Sequence, residues 1–238
     1  MKLTVTTSDA YLHCIPVFIS LWNKYARQNE SESINVEIVG YKKPDIELPE
    51  DFSFKSLGEQ NGNNKNFGTD LKKYFSEQED QYIMWCMEDS WWNAPLDVSM
   101  IIRLRQVIET DKRIGRISLT AQNLNQYMED YAIIDELKFI ATPQKSEYRL
   151  STMPAIWNKD FLLRYLKEDM NPWEFECQDK VEDEFYNIAL EDRDSSPWKY
   201  VEGVRRFDNK KMNFEGIDLA IISEMAGKGY LNGITWTH

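Results

Sequence analysis

Four carboxylates stand where this sequence could do chemistry. Glu88 and Asp89 lie side by side at the exit of the apolar run in "IMWCMEDSWWNAPLD", residues 83–97, and Glu174 and Glu176 alternate in "NPWEFE", residues 171–176. A carboxylate can ligate a hard divalent cation, or take a proton from a hydroxyl within hydrogen-bond reach. Such work falls to carboxylates here because the chain has only two histidines, His13 and His238, which excludes a multi-histidine zinc site and disfavours a histidine-dependent triad. An acid pair at a strand exit can equally be a solvated loop end or the cap of a turn, and both readings stand on these residues alone.

Composition narrows the partners. The chain has 238 residues, with 28 Lys and Arg against 40 Asp and Glu, a formal charge of -12. That balance repels phosphate backbones and anionic lipid surfaces at long range, so no nucleic-acid partner is expected, although a local basic pocket is compatible with it. A chain of this length buries about 70% of its unfolded surface and needs no disulfide or structural metal. Cys14, Cys86 and Cys177 are odd in number and far apart, and read as reduced, structural thiols. The opening "MKLTVTTSDA" lacks the apolar stretch of a signal peptide, and no window reaches the 18 or so apolar residues of a membrane span. A cytoplasmic protein is expected.

The elements that must position the acids follow from periodicity. "KLTVTT" (2–7) alternates as a strand, and residues 10–27 carry apolar side chains at helical spacing behind Ser8 or Asp9 as N-cap. "INVEIVG" (34–40) and "DFSFKSL" (51–57) read as the next strands, and "GEQNGNNKNFG" (58–68) as a surface loop. A short helix over 70–76 precedes "QYIMWCM", a central strand apolar on both faces, and "LDVSMIIRLRQVIE" (96–109) is an amphipathic helix followed by the strand "GRISLT" (115–120). "LKFIAT" and "YRLST" read as antiparallel additions to the sheet, and Asn158 as the cap of a helix ending before an "NPW" turn at 171–173. "KVEDEFYNIALE" (180–191) has a helical pattern, "WKYVEGVRRF" a strand pattern, and "GIDLAIISEMAG" reads as a helix stopped by Gly227. Alternating strands and helices predict an α/β fold with a mostly parallel sheet covered by helices.

Two blocks now carry a family resemblance. "YIMWCMEDSWWNAPLDVSMIIRL" resembles the central strand, acidic motif and following helix of glycosyltransferases with the A-type fold. "RLSTMPAIWNKDFLLRYLKEDMNPWEFE" (149–176) resembles the acceptor-side segment of a bacterial and viral subgroup of those enzymes, and "VTTSDAYLHCIPVFISLWNKY" is similar to its first strand and helix. The second block is the more specific. In one respect the chain departs from the family: its Asp-x-Asp pattern stands here as Glu88-Asp89-Ser90, so the second aspartate has no counterpart.

The resemblance implies one Rossmann-like domain over 1–238, with a nucleotide-binding part at about 1–120 and an acceptor-side part at about 121–238. It implies a nucleotide-sugar donor, a saccharide or other hydroxyl acceptor, and a divalent cation, Mn²⁺ or Mg²⁺, that stabilises the departing diphosphate. Asp89 is the first choice for the cation and Glu88 the second, since neighbours on an extended chain point to opposite sides. Glu176, ahead of Glu174, is the candidate base, with helix capping or surface charge as the other account of both. Thr7, Ser8, Asp9 and Tyr11 leave the first strand where the family holds its nucleotide, and Asp9 can equally be a helix cap. Lys65 and Asn66, in the Gly/Asn loop, and Arg205 and Arg206 could approach phosphate or be ordinary surface residues. Trp157, Trp173 and Trp91 are the indoles expected to stack on sugar, although about half of the tryptophans near these motifs should be core.

Inversion at the sugar carbon is expected, because a positioned base suffices and no dedicated nucleophile is apparent. The rivals are a non-catalytic carbohydrate- or nucleotide-binding protein of the same fold and a nucleotidyltransferase, which would release pyrophosphate.

Overall fold

The computed structural model describes residues 1–27, 34–62, 65–121, 128–147, 149–178, 182–205 and 211–237. Four parallel strands begin the sheet: β1 (Lys2–Thr6), β2 (Asn35–Gly40), β3 (Phe52–Ser56) and β4 (Tyr82–Met87). Between them run α1 (Ile15–Tyr25), entered through a 3-10 turn over Asp9–Cys14, and α2 (Phe67–Ser76). A short β5 (Ser90–Trp92) leaves the sheet before α3 (Val98–Thr110), whose first turn is capped by the Asp97 side chain accepting from the Met100 amide at 2.9 Å.

The second half adds β6 (Ile114–Ser118), the hairpin β7 (Glu129–Ile134) and β8 (Leu137–Thr142), β9 (Ala155–Asn158), α4 (Lys159–Tyr165), α5 (Pro172–Cys177) and β10 (Tyr186–Leu190). Then come β11 (Tyr200–Glu202), β12 (Val204–Arg205), β13 (Lys211–Asn213), α6 (Leu219–Gly227) and β14 (Trp236–Thr237). The nine-stranded sheet has the order β3-β2-β1-β4-β9-β6-β10-β8-β7. Within it β8 and β9 run against the other strands, so the sheet is mixed and mostly parallel, as the alternation of elements predicts.

Period-two alternation sorts each central strand between two cores. Leu3, Val5, Met84 and Cys86 face the layer that holds Phe18, Trp22, Ile101 and Leu104, while Ile83, Trp85 and Met87 face Leu71, Phe75, Phe161 and Leu162. The sheet is therefore covered on both faces, which is why "IMWCM" is apolar throughout. No helix among the described residues is long and apolar enough to cross a membrane.

Three local expectations are overturned. "NPWEFE" is no turn: Asn171 caps a helix through a reciprocal pair, its side chain accepting from the Glu174 amide at 2.9 Å while Glu174 accepts from the Asn171 amide at 2.8 Å. "YRLST" is not a strand; Arg149 and Leu150 lie in a turn. The helical pattern of "KVEDEFYNIALE" gives way to β10, because Asn187–Leu190 fills the slot between β6 and β8 and is buried on both faces. Tertiary burial overrides local periodicity there.

Candidate active site

β1 has β2 and β3 on one side and β4 on the other, so the chain changes direction across the sheet between β1 and β4. Open α/β sheets bind ligands outside the carboxyl ends of strands at such a point. A hollow of about 240 Å³ lies there. Its floor is Thr6, Thr7 and Ser8 beyond β1, Val39 and Tyr41 at the end of β2, and Met87 and Glu88 at the end of β4. Tyr11, Leu57, Gln60, Phe67 and Leu71 form the sides, and Asn171, Pro172 and Trp173 complete the wall. Ladder bonds continue past the strand ends and hold this floor: the Thr7 amide donates to Val39 O at 2.9 Å, and the Glu88 amide to Thr6 O at 3.1 Å.

A second hollow of about 320 Å³ shares Met87 and Trp173 with the first. It is lined by Asp89, Ser90, Thr152, Met153, Glu176, Tyr200 and Glu202. Distant segments meet here because β5 pairs antiparallel with β11, setting Ser90 opposite Glu202 and Trp92 opposite Tyr200. The Gly203 amide then donates to Asp89 O at 2.8 Å. Only glycine permits that approach, since a Cβ at 203 would stand 2.6 Å from the Trp91 ring and 2.9 Å from Asp89 O.

In the same hollow Glu176 Oε1 accepts from the Thr152 amide and from Thr152 Oγ1, both at 2.7 Å. The carboxylate is thereby fixed in the same hollow as Asp89. Glu88 and Asp89 are 1% and 6% exposed and, as neighbours, face different hollows. Burial, reinforced by the charges of Asp89 and Glu88, pushes the Cys86 thiol well up, which leaves it unreactive.

The expected site residues thus divide. Thr7, Ser8, Tyr11, Glu88 and Trp173 line the first hollow; Asp89, Glu176 and again Trp173, which is 51% exposed, line the second. The remainder line neither. Glu174 closes the capping box and pairs with Lys65, whose ammonium, followed by the Asn171 amide, holds the Glu174 carboxyl below its usual range. Because Glu174 and Glu176 lie on a helix, they do not share the face that an extended segment would have given them. Asn66 bonds Asp70 and Glu59 O at the start of α2. The Asp9 side chain accepts from the Lys42 amide and pairs with the Lys42 ammonium instead of capping its own helix.

Trp157 and Trp91, expected on a sugar face, are fully buried: Trp157 packs among Trp85, Phe161 and Phe175, and Trp91 against Phe214. The side chain of Arg205 and the whole of Arg206 lie outside the described residues. Thr152, Tyr200 and Glu202 had escaped sequence reasoning. Thr152 stands inside the quoted "RLSTMPAIWN" block but carries no pattern of its own, and nothing local marks Tyr200 or Glu202, which a strand pairing brings in.

Among the described residues no group of three His, Cys, Asp or Glu side chains converges into an all-protein metal cage. The donor set is one of hard oxygens, with Asp89 in one hollow and Glu88 in the other. Each hollow thus offers one buried carboxylate, and a hard cation there would need its other ligands from elsewhere.

No protein-family model and no curated protein matches the chain. Among solved structures it is similar to the galactosyltransferase LgtC in complex with donor and acceptor sugar analogues, at 11% identity and a TM-score of 0.40 over 69% of this chain and 60% of that one. It is similar also to an active-site mutant of LgtC, at 10% identity and a TM-score of 0.40 over 69% and 59%. A cytidylyltransferase from Leptospira borgpetersenii serovar Hardjo-bovis (strain JB197) is similar at 10% identity and a TM-score of 0.44 over 100% and 98%. The chain spans about three fifths of the length of the LgtC chain it matches.

Proposed function

We propose that this protein transfers a sugar from a nucleotide-activated donor to a hydroxyl of a saccharide acceptor, as the resemblance of its acidic and acceptor-side blocks to A-type glycosyltransferases implies. The observation that carries the reading is the pair of adjoining hollows at the β1/β4 switch point, with Glu88 lining one and both Asp89 and Glu176 lining the other. The nucleotide occupies the first hollow, against Thr7, Ser8 and Tyr11. The acceptor enters the second, beside the exposed indole of Trp173.

The acceptor oxygen attacks the sugar carbon, its proton passes to Glu176, and the carbon–oxygen bond to the diphosphate breaks with the electron pair leaving on the diphosphate. Glu176 suits the task by geometry, because the two Thr152 bonds occupy one of its oxygens and fix the direction of the other. Direct displacement inverts the sugar carbon. Asp89, with Glu88 second, would hold a Mn²⁺ or Mg²⁺ ion, which when bound supplies positive charge against the departing diphosphate.

The test is incubation with a panel of nucleoside diphosphate sugars, with Mn²⁺ or Mg²⁺ and neutral saccharide acceptors, followed by ³¹P NMR. Acceptor-dependent release of a nucleoside diphosphate is expected. Asp89→Ala and Glu176→Gln should each lower turnover by about 10²- to 10⁴-fold while donor affinity changes little. Release of pyrophosphate would instead assign a nucleotidyl transfer, and absence of any donor-induced thermal shift would remove the enzymatic reading.

A further inference from the structure

Among the described residues two arginines are buried, and they are treated differently. Arg149 is met by Asp183 through two bonds, at 3.0 and 2.8 Å, and also donates to Tyr165 Oη and Phe185 O. Arg116, on β6, is 2% exposed and makes no such pair among the described residues. Its Nη2 donates to Met153 O at 3.1 Å, its Cζ lies 5.1 Å from the centroid of the Trp157 ring, and its Nε has no hydrogen-bond partner among the described residues.

A charge removed from water without a partner is costly, so its placement needs a reason. Burial pushes the Arg116 guanidinium down to about 10, and the charge that opposes this push is that of Glu176. The group therefore stays protonated near neutrality.

The backbone is shaped to put it there. Ile114 stands opposite Tyr186 and Arg116 opposite Asn187, so Gly115 is one residue more than β10 can match. Such a bulge re-aims the side chain that follows it, and bulges gather beside active sites. Gly115 has no room for a Cβ, which would stand 2.7 Å from the Phe161 ring. The carbonyl that Arg116 grips belongs to Met153, the neighbour of Thr152, whose amide and hydroxyl both hold Glu176 Oε1.

We propose that Arg116 is a positioning residue for Glu176, fixing the Thr152–Met153 turn through the Met153 carbonyl and setting a buried positive charge behind the carboxylate. The catalytic consequence rests on Glu176 being the proton acceptor; the positioning itself does not.

Backbone NMR of the full chain tests the positioning without any substrate, because an amide bonded to a carboxylate changes its shift when that bond is lost. Glu176→Gln sets the direction and scale for Thr152. Arg116→Met should move the Thr152 amide in the same direction, and Arg116→Lys, which keeps the charge, should return it towards the native position. A Thr152 amide that stays at its native position in Arg116→Met overturns the proposal. Should Arg116→Met not fold, Arg116→Ala, which removes both the N–H for Met153 and the charge, takes its place with the same two outcomes.

With a donor that turns over, Arg116→Met should lower kcat about ten- to hundredfold at unchanged donor KM. In the Glu176→Gln background it should cost less than about twofold more. Losses that multiply would mean that Arg116 does not act through Glu176. Full turnover by Glu176→Gln would remove the proton-acceptor reading, while the amide measurement still decides the positioning.

Discussion

The two hollows that share Met87 and Trp173 are built by different means. The first is walled mainly by the ends of three neighbouring parallel strands and the helices beside them, and its floor follows from the ladders of β1, β2 and β4. The second is assembled from segments far apart in the chain: the β4–β5 corner, the Thr152–Met153 turn, α5 and β11. A hollow of the first kind stands whenever the sheet stands. One of the second kind depends on particular polar contacts and on one close approach, at Gly203.

That contrast can be broken at several points. The largest effect is expected from Arg149→Met, which strands Asp183 in a pair whose side chains are 0% and 6% exposed. Removing one partner of a buried pair costs about 3–5 kcal/mol, read by urea unfolding. Asn187 Nδ2 donates to Arg149 O at 2.5 Å, so the stretch leading to Thr152 should loosen with it.

Acid sharpens the same point. Burial alone would raise the Asp183 carboxyl, but Arg149 and the Tyr165 hydroxyl outweigh it and hold the group below its ordinary 3.8. A depressed carboxyl stabilises the fold above its unfolded value and ceases to do so as pH falls through the lower folded value. The stability gap between native chain and variant should therefore narrow as pH drops below about 4.

A smaller effect, confined to the second hollow, is expected from Gly203→Ala. Its Cβ would press on Trp91 and on Asp89 O, an overpacking worth about 1–3 kcal/mol in the melt. Nucleotide binding in the first hollow should survive while turnover falls; equal loss of both would show that the hollows are one unit. The least effect is expected from Asn171→Ala, which removes the cap of α5 and costs about 1 kcal/mol by thermal melting.

The same division governs what could be read in advance. β1, β2, β4 and α3 are legible because their side chains alternate or recur with the element's own period. Glu88 and Asp89 were visible as a pair, but they form the turn between β4 and β5, so extended geometry does not account for their facing different hollows. "NPWEFE" was misread because a capping box looks like turn chemistry until the Glu174 side chain is seen to return to the Asn171 amide. Trp157 and Trp91 were misjudged because an indole near a motif carries no sign of which way the strand turns it. β10 was missed because its apolar residues also fit a helical period, and only its neighbours β6 and β8 decide between the two.

From sequence alone come the alternation of strands and helices, the apolar central strand with acids at its exit, and the scarcity of histidine. Each depends on residue types and on spacings within one element. The tertiary structure decided which acid faces which hollow, that Glu176 is gripped by Thr152 while Glu174 is tied up in a cap, and that the buried Arg116 guanidinium bonds the carbonyl of Met153. Those facts depend on strand pairings and on a bulge that join residues far apart in the chain, and no local spacing encodes such a contact.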